Sequence, residues 1–224
     1  MADLFVPGTY WTRERADAAA ARMVATMESP PMQALLSGIA SAAAESGDPA
    51  AAAAELTPVA RAASIATAAG PIERDACIVR RGRIEDVPAL AELIIHGELP
   101  PMFIEEFVEA FCVVEHKGEL IGCGGVELYG PDCAVIRSVV AHERARGLGL
   151  GGVIGRLLVD DARAYGAKEI YLFTMHALAF WEHLGFQQLE LARWRPEVQV
   201  NWQYMFCSTF PQAVAGVYPM RMLV

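Results

Sequence analysis

The sequence lacks the marks of a metal or disulfide protein. Its five cysteines are an odd count, and Cys77, Cys112, Cys123, Cys133 and Cys207 show none of the paired spacing that holds zinc. Most sit inside apolar runs, so they read as buried free thiols in a reducing cytoplasm, and no metal is expected. No apolar run approaches the roughly 18 residues that a membrane-crossing helix requires. The opening Met1-Ala2-Asp3-Leu4 has neither the basic lead nor the apolar block of a secretory signal. Both absences point to a cytoplasmic protein with no membrane partner. Positive charge is scarce too: 18 Lys and Arg face 27 Asp and Glu, a net charge of −9. That balance argues against a nucleic-acid partner. An anionic ligand would have to be held by a local feature, not by the overall field.

What is abundant is alanine, and it divides the chain. Residues 1–73 carry the blocks Ala18 to Ala21 and Ala50 to Ala54. They read as a helical N-terminal extension with three helices: Thr12 to Met27, Pro31 to Ala44, and Asp48 to Ala68 with Asp48 as N-cap. Met32, Leu35, Leu36 and Ile39 recur at helical spacing. Alanine buries little area, so these helices should be ordered by packing on the main domain or on a second copy in a homodimer. The rival reading is a loosely ordered arm.

From residue 74 the pattern is mixed α/β. Strands are expected at Cys77 to Arg81, Phe111 to Glu115, Leu120 to Tyr129, Cys133 to Ala141, Ile170 to Phe173, Phe186 to Leu191 and Val217 to Leu223. A hairpin turn falls at Lys117-Gly118. Helices are expected at Pro88 to Ile95, Ile104 to Ala110, Val153 to Tyr165 and Leu178 to Leu184. The aromatics Trp194, Trp202, Tyr204 and Phe206 read as core or lid packing near the C-terminal strands.

Between the strand ending at Ala141 and the next helix lies Arg146-Gly147-Leu148-Gly149-Leu150-Gly151-Gly152. Glycines let the backbone approach a bulky anion, and the unpaired amides and dipole of the helix start favour negative charge there. A pyrophosphate is the natural guest. Gly147, Gly149 and Gly152 match the dinucleotide fingerprint formally. That fingerprint also needs an acid about 20 residues on, at the end of the following strand. Here that strand ends in Leu172-Phe173-Thr174. The Lys followed by Ser or Thr of a nucleoside-triphosphate loop is absent.

A third guest is coenzyme A. Arg146, Gly149 and Gly151 fit the spacing Arg/Gln-x-x-Gly-x-Gly/Ala. The strand Ile136 to Ala141, the helix ending at Gly166, the strand Ile170 to Phe173, and Ala177, Phe180, Trp181, Gly185 and Phe186 follow in order. This pattern, over residues 76–224, resembles the Gcn5-related N-acetyltransferase (GNAT) superfamily, nearest to its amino-acid branch of glutamate and arsenic-resistance-associated enzymes.

The resemblance implies an α/β (α+β) fold: a mixed, mostly antiparallel sheet splayed in the middle, flanked by helices, with residues 74–224 as the acetyltransferase domain. It implies acetyl-CoA as co-substrate. Arg146, Gly147, Leu148, Gly149, Leu150, Gly151 and Gly152 would hold its pyrophosphate. Val139, Val140 and Ala141 would pair with its pantetheine arm, with Phe180 and Trp181 nearby. A strand amide would polarise the acyl carbonyl. Glu127, an acid on an apolar strand, is the expected base. Arg137, a lone cation in an apolar strand, needs an anion, either Glu127 or a substrate carboxylate. Thr174 stands where the family often has Asn and joins Arg137 as a substrate-site residue. Trp181 stands where the family often has a Tyr acid, so Tyr129 or water would protonate the thiolate. His176 reads as a helix cap. The implied reaction is acetylation of a small amine, an amino acid or analogue. Its rivals are acetylation of a protein amine and a non-catalytic acyl-CoA-binding module.

Overall fold

The structure, a computed structural model, describes residues 5–8, 12–46, 71–145, 147–214 and 216–224. Helix α1, Arg13–Met27, begins at Thr12, whose side chain accepts a hydrogen bond from the Arg15 amide at 3.2 Å. Its buried residues Ala16, Ala19, Met23 and Met27 recur every three or four positions and mark one apolar face. Helix α2, Pro30–Ser46, buries Leu36, Ile39 and Ala40. Both helices share one hydrophobic core with the remaining elements. The alanine-rich helices are therefore ordered by packing on the body of the same chain. The third expected helix, Asp48 to Ala68, lies outside the described residues.

Seven strands form one sheet: β1 Cys77–Arg81, β2 Phe111–His116, β3 Glu119–Tyr129, β4 Cys133–Ala141, β5 Glu169–Thr174, β6 Gln187–Gln188 and β7 Tyr218–Leu223. Their spatial order is β1-β2-β3-β4-β5-β7-β6. All neighbours are antiparallel except β4 and β5, which run parallel. The accompanying helices are α3 Val87–His96, α4 Ile104–Phe107, α5 Leu150–Ala164, α6 Leu178–His183 and α7 Trp202–Thr209. The β2–β3 turn places Lys117 at φ 51° and Gly118 at φ 84°, the two left-handed residues that a tight hairpin requires. Among the described residues no helix is long and apolar enough to cross a membrane.

Strand β3 is buried along its whole length. Residues such as Gly122 and Gly124 face α5, while Tyr129 meets Met23 of α1 with its hydroxyl 3.8 Å from the sulfur. A Cβ at Gly124 would lie 2.7 Å from Leu158 Cδ1 and 2.9 Å from Val139 Cγ2. The missing side chain is thus what seats α5 directly on the sheet. We expect Gly124→Val to destabilise the fold by about 1–3 kcal/mol through overpacking. Urea denaturation would read this as a lower midpoint at unchanged slope.

Two departures from sequence expectation fall near the C-terminus. The strand expected from Phe186 to Leu191 shrinks to Gln187–Gln188. Its partner strand carries Pro219, whose carbonyl accepts from the Leu189 amide at 3.0 Å but which has no N–H to return. The second departure is α7, which was read only as aromatic packing. Asn201 caps it, its side-chain oxygen accepting from the Gln203 amide at 2.9 Å and the Tyr204 amide at 3.3 Å.

Candidate active site

The sheet opens where β4 meets β5. Their pairing covers only Cys133, Ala134 and Val135 against Glu169, Ile170 and Tyr171. Beyond Val135 the strands diverge, and β4 has no β5 partner from Ile136 to Ala141. Within that stretch Ser138 adopts φ 52°, and the β3–β4 register slips between Cys123 and Gly125. One β3 residue, Gly124, thus faces two on β4, a bulge at the rim of the gap.

At the end of β4 the chain enters the glycine loop. Gly147 and Gly149 hold φ 82° and 72°, a region that side chains other than glycine rarely adopt. A Cβ at Gly147, Gly149 or Gly151 would meet nothing within 4 Å, so the inner surface of the loop is open. The amides of Leu150, Gly151 and Gly152 start α5, where no helical carbonyl precedes them. Arg146 lies outside the described residues. Arg144 is committed elsewhere, its Nη1 donating to both Glu119 carboxylate oxygens at 2.8 and 3.1 Å. Arg156 bends back toward the loop, with Nη1 3.3 Å from where a Gly152 Cβ would stand. This second cation was not singled out from sequence; its signal was its position one helical turn after Gly152.

A cavity of about 200 Å³ occupies the gap. Its floor is Ile136 to Val139 of β4 and Leu172 to Ala177 of β5 and the following turn. One wall is Gly97 to Met102 with Trp181. Leu36 and Ile39 of α2 and Trp202, Gln203, Phe206 and Cys207 of α7 form a roof. Of the residues expected at the site, Arg137, Val139, Thr174 and Trp181 line this cavity. Val140, Ala141 and Phe180 stand beside those lining residues in sequence. Thr174 Oγ1 accepts from the Ala177 amide at 3.1 Å and so fixes the start of α6. That bond lies in the turn before the helix; no side chain caps α6, so the capping role expected of His176 is not taken by it. His176 instead extends outward, two-thirds exposed, with Nε2 3.8 Å from Glu98 Oε2. Trp181 packs edge-on against Phe180 and Phe186 at 4.9 and 5.3 Å between ring centres.

Glu127 and Tyr129 are placed differently from expectation. Both are buried and neither lines the cavity. Glu127 turns inward because a carboxylate among apolar neighbours needs partners. Its Oε1 accepts from Arg137 Nη1 at 2.8 Å. Its Oε2 accepts from the Tyr129 hydroxyl at 2.6 Å and from Asn201 Nδ2 at 2.8 Å. Burial, with the adjacent Glu127 charge, pushes the Tyr129 phenol well above its ordinary pKa. Arg137 also donates from Nε to Ser138 Oγ at 3.2 Å and from Nη2 to the Met102 carbonyl. Of the two anions weighed for Arg137, the structure supplies Glu127. Asn201, the cap of α7 and a member of this network, was missed from sequence. An Asn before an apolar run was its only trace.

Comparison with known proteins settles the family. Residues 86–186 match the acetyltransferase (GNAT) family. An uncharacterised N-acetyltransferase of Chlorobaculum tepidum is 31% identical over 127 residues, which cover 52% of this chain and 78% of that protein. The chain belongs to the GNAT family. An amino-acid acetyltransferase of Mycobacterium tuberculosis is 31% identical over 122 residues, covering 50% of this chain and 70% of that protein. A solved structure of the M. tuberculosis protein Rv2747 in complex with CoA and NLQ shares the fold. Its TM-score is 0.57 at 24% identity, over 66% of this chain and 99% of that one.

As a GNAT member the chain is an acetyl-CoA-dependent N-acetyltransferase. Its residues fit that co-substrate. The space in front of Gly147, Gly149 and Gly151 is open, and the strand edge from Ile136 onward is unpaired by β5. The loop amides from Gly147 to Gly152 suit a pyrophosphate. The β4 edge suits the amide-bearing pantetheine arm.

Proposed function

We propose that this enzyme transfers the acetyl group of acetyl-CoA to the amine of a small molecule of amino-acid size. The observation that carries this reading is the cavity at the β4–β5 gap. Residues of α2 and α7 line it beside those of the two strands, and its volume of about 200 Å³ suits a small molecule better than a protein segment. The name of the M. tuberculosis relative, an amino-acid acetyltransferase, supports the same class.

The chemistry needs a neutral amine beside the thioester carbonyl. The carbon–nitrogen bond forms, the carbon–sulfur bond breaks, and the thiolate departs. A β4 amide near Val139 polarises the carbonyl as charge develops on its oxygen. Thr174 and Trp181 shape the cavity around the acetyl end. Glu127, Tyr129 and Asn201 act from beneath, holding Arg137 and with it the bulged part of β4. The proton lost by the amine leaves by way of the mouth, where His176 and Glu98 sit in solvent. The thiolate is a good leaving group, which fits Trp181 in place of an acid.

A thiol-release screen of amino acids and other small amines with acetyl-CoA tests the proposal. We expect turnover with small amines and none with lysine-bearing peptides. Acetyl-CoA binding without turnover on any amine would favour a non-catalytic module instead.

A further inference from the structure

Four described residues other than glycine hold a left-handed backbone: Glu98, Phe103, Lys117 and Ser138. Of these, Ser138 alone lies inside a strand. That conformation is unfavourable for a residue with a Cβ, and it persists mostly where function uses it. Here it marks the bulge. Ser138 and Val139 together face Gly124, and both line the cavity at the β4–β5 gap. Ile136 and Arg137, just before them, are buried, whereas Ser138 is half-buried.

The hydroxyl is prepared by what lies behind it. Its oxygen accepts from Arg137 Nε at 3.2 Å. Arg137 is held by Glu127, and Glu127 by Tyr129 and Asn201. Neither charge is open to the cavity, since the Arg137 and Glu127 side chains are enclosed. Ser138 is the outlet of the network. An oxygen that already accepts from a guanidinium still has its hydrogen to give, and the charge behind it strengthens that donor. Among the described residues no acceptor takes that hydrogen. Thr174, the other hydroxyl among the lining residues, is buried and bound to a neutral amide of the turn after β5.

We infer that the Ser138 hydroxyl is a catalytic donor: it hydrogen-bonds the carbonyl oxygen of the acetyl group, beside the β4 amide near Val139, and stabilises the negative charge that gathers there. This inference deepens the proposed function and rests on its placing of the acetyl group in the gap. As the amine nitrogen bonds to the carbonyl carbon, the carbonyl π pair moves onto oxygen, toward the Ser138 hydrogen. The pair returns as the carbon–sulfur bond breaks, and sulfur leaves with the bonding electrons. The amine proton departs to solvent, and Ser138 keeps its own. A donor fixed in advance needs no reorganisation at the moment of reaction. Glu127 and Arg137 are then positioning residues: they aim and polarise the hydroxyl without touching the substrate.

The test uses the full chain as wild type, Ser138→Gly and Ser138→Asn. Infrared spectra of bound acetyl-CoA, isotope-labelled at its acetyl carbonyl, are taken with no acceptor present. Steady-state kinetics follow with an amine that the thiol-release screen shows to be turned over. Glycine adopts the left-handed backbone freely, so Ser138→Gly should melt no lower than the wild type. Its kcat should nevertheless fall about a hundredfold, the low end of what losing one such donor costs. KM for the amine and the acetyl-CoA Kd should hold, because the contact strengthens only in the transition state. The carbonyl band should move to higher frequency. Asparagine tolerates this backbone and carries an N–H donor, so Ser138→Asn should recover part of the lost kcat and return the band toward its wild-type place. A band that does not move, or a Ser138→Gly kcat within about threefold of wild type, overturns the inference and leaves the acetyltransfer reading standing. If no small amine is turned over, the proposed acceptor class fails, while the band still decides for or against Ser138.

Discussion

Replacing Glu127 with alanine is expected to cost about 3–5 kcal/mol of stability, because it leaves the Arg137 guanidinium charged, buried and unpaired. The pair is fully enclosed: the side chains are 0% and 1% exposed. Solvent cannot take over the role of the lost carboxylate. Tyr129 and Asn201 would also lose their common acceptor, which adds the penalty of unsatisfied buried donors. The double variant Glu127→Leu with Arg137→Met should recover most of the loss, since removing both charges together avoids an orphan. Chemical denaturation of the two single variants and the double closes the cycle. Additive effects would show that the pair is not coupled. Acetylation should fall at least tenfold in each single variant that remains folded, with acetyl-CoA binding retained. Loss of coenzyme binding in these variants would mean that the network supports the cofactor rather than the acceptor side.

The second large effect belongs to the glycine loop, where stability and binding are expected to part. Gly149→Val should weaken acetyl-CoA binding at least thirtyfold, equivalent to about 2 kcal/mol. The position has φ 72°, unfavourable for a β-branched residue. Its absent side chain also faces the open space we assign to the pyrophosphate. Gly151→Ala makes the informative contrast. It lies inside the helix with room for a methyl group, and alanine is about 0.5–1 kcal/mol better than glycine there. Binding should persist, since the spacing pattern of the loop accepts either residue, and melting should rise. Calorimetric titration with acetyl-CoA, beside a melt of each unliganded variant, separates the two effects. Undiminished binding by Gly149→Val would displace the pyrophosphate from this loop.

The frame of the site was legible because it is made of local signals. Cys133 to Ala141 was bounded correctly as β4, since an apolar run ended by a glycine loop admits few other readings. The Lys117-Gly118 turn was equally local. What escaped was tertiary. Whether Glu127 faces the acceptor or Arg137 depends on which partner reaches it, and Asn201 arrives from 74 positions away. Helix α7 has little amphipathic contrast because its aromatic residues serve the core on one side and the cavity on the other. The length of β6 turned on Pro219 in a strand that follows it by some thirty residues. Arg156 gains its place by curling over Gly152, which no spacing rule announces.

The cavity proposed for the acceptor takes lining residues from two helices far apart in the chain, while the proposed coenzyme strand and loop lie between them. On that assignment, substitutions in α2 or α7 are expected to change which molecule is modified without touching how the acyl group is handed over.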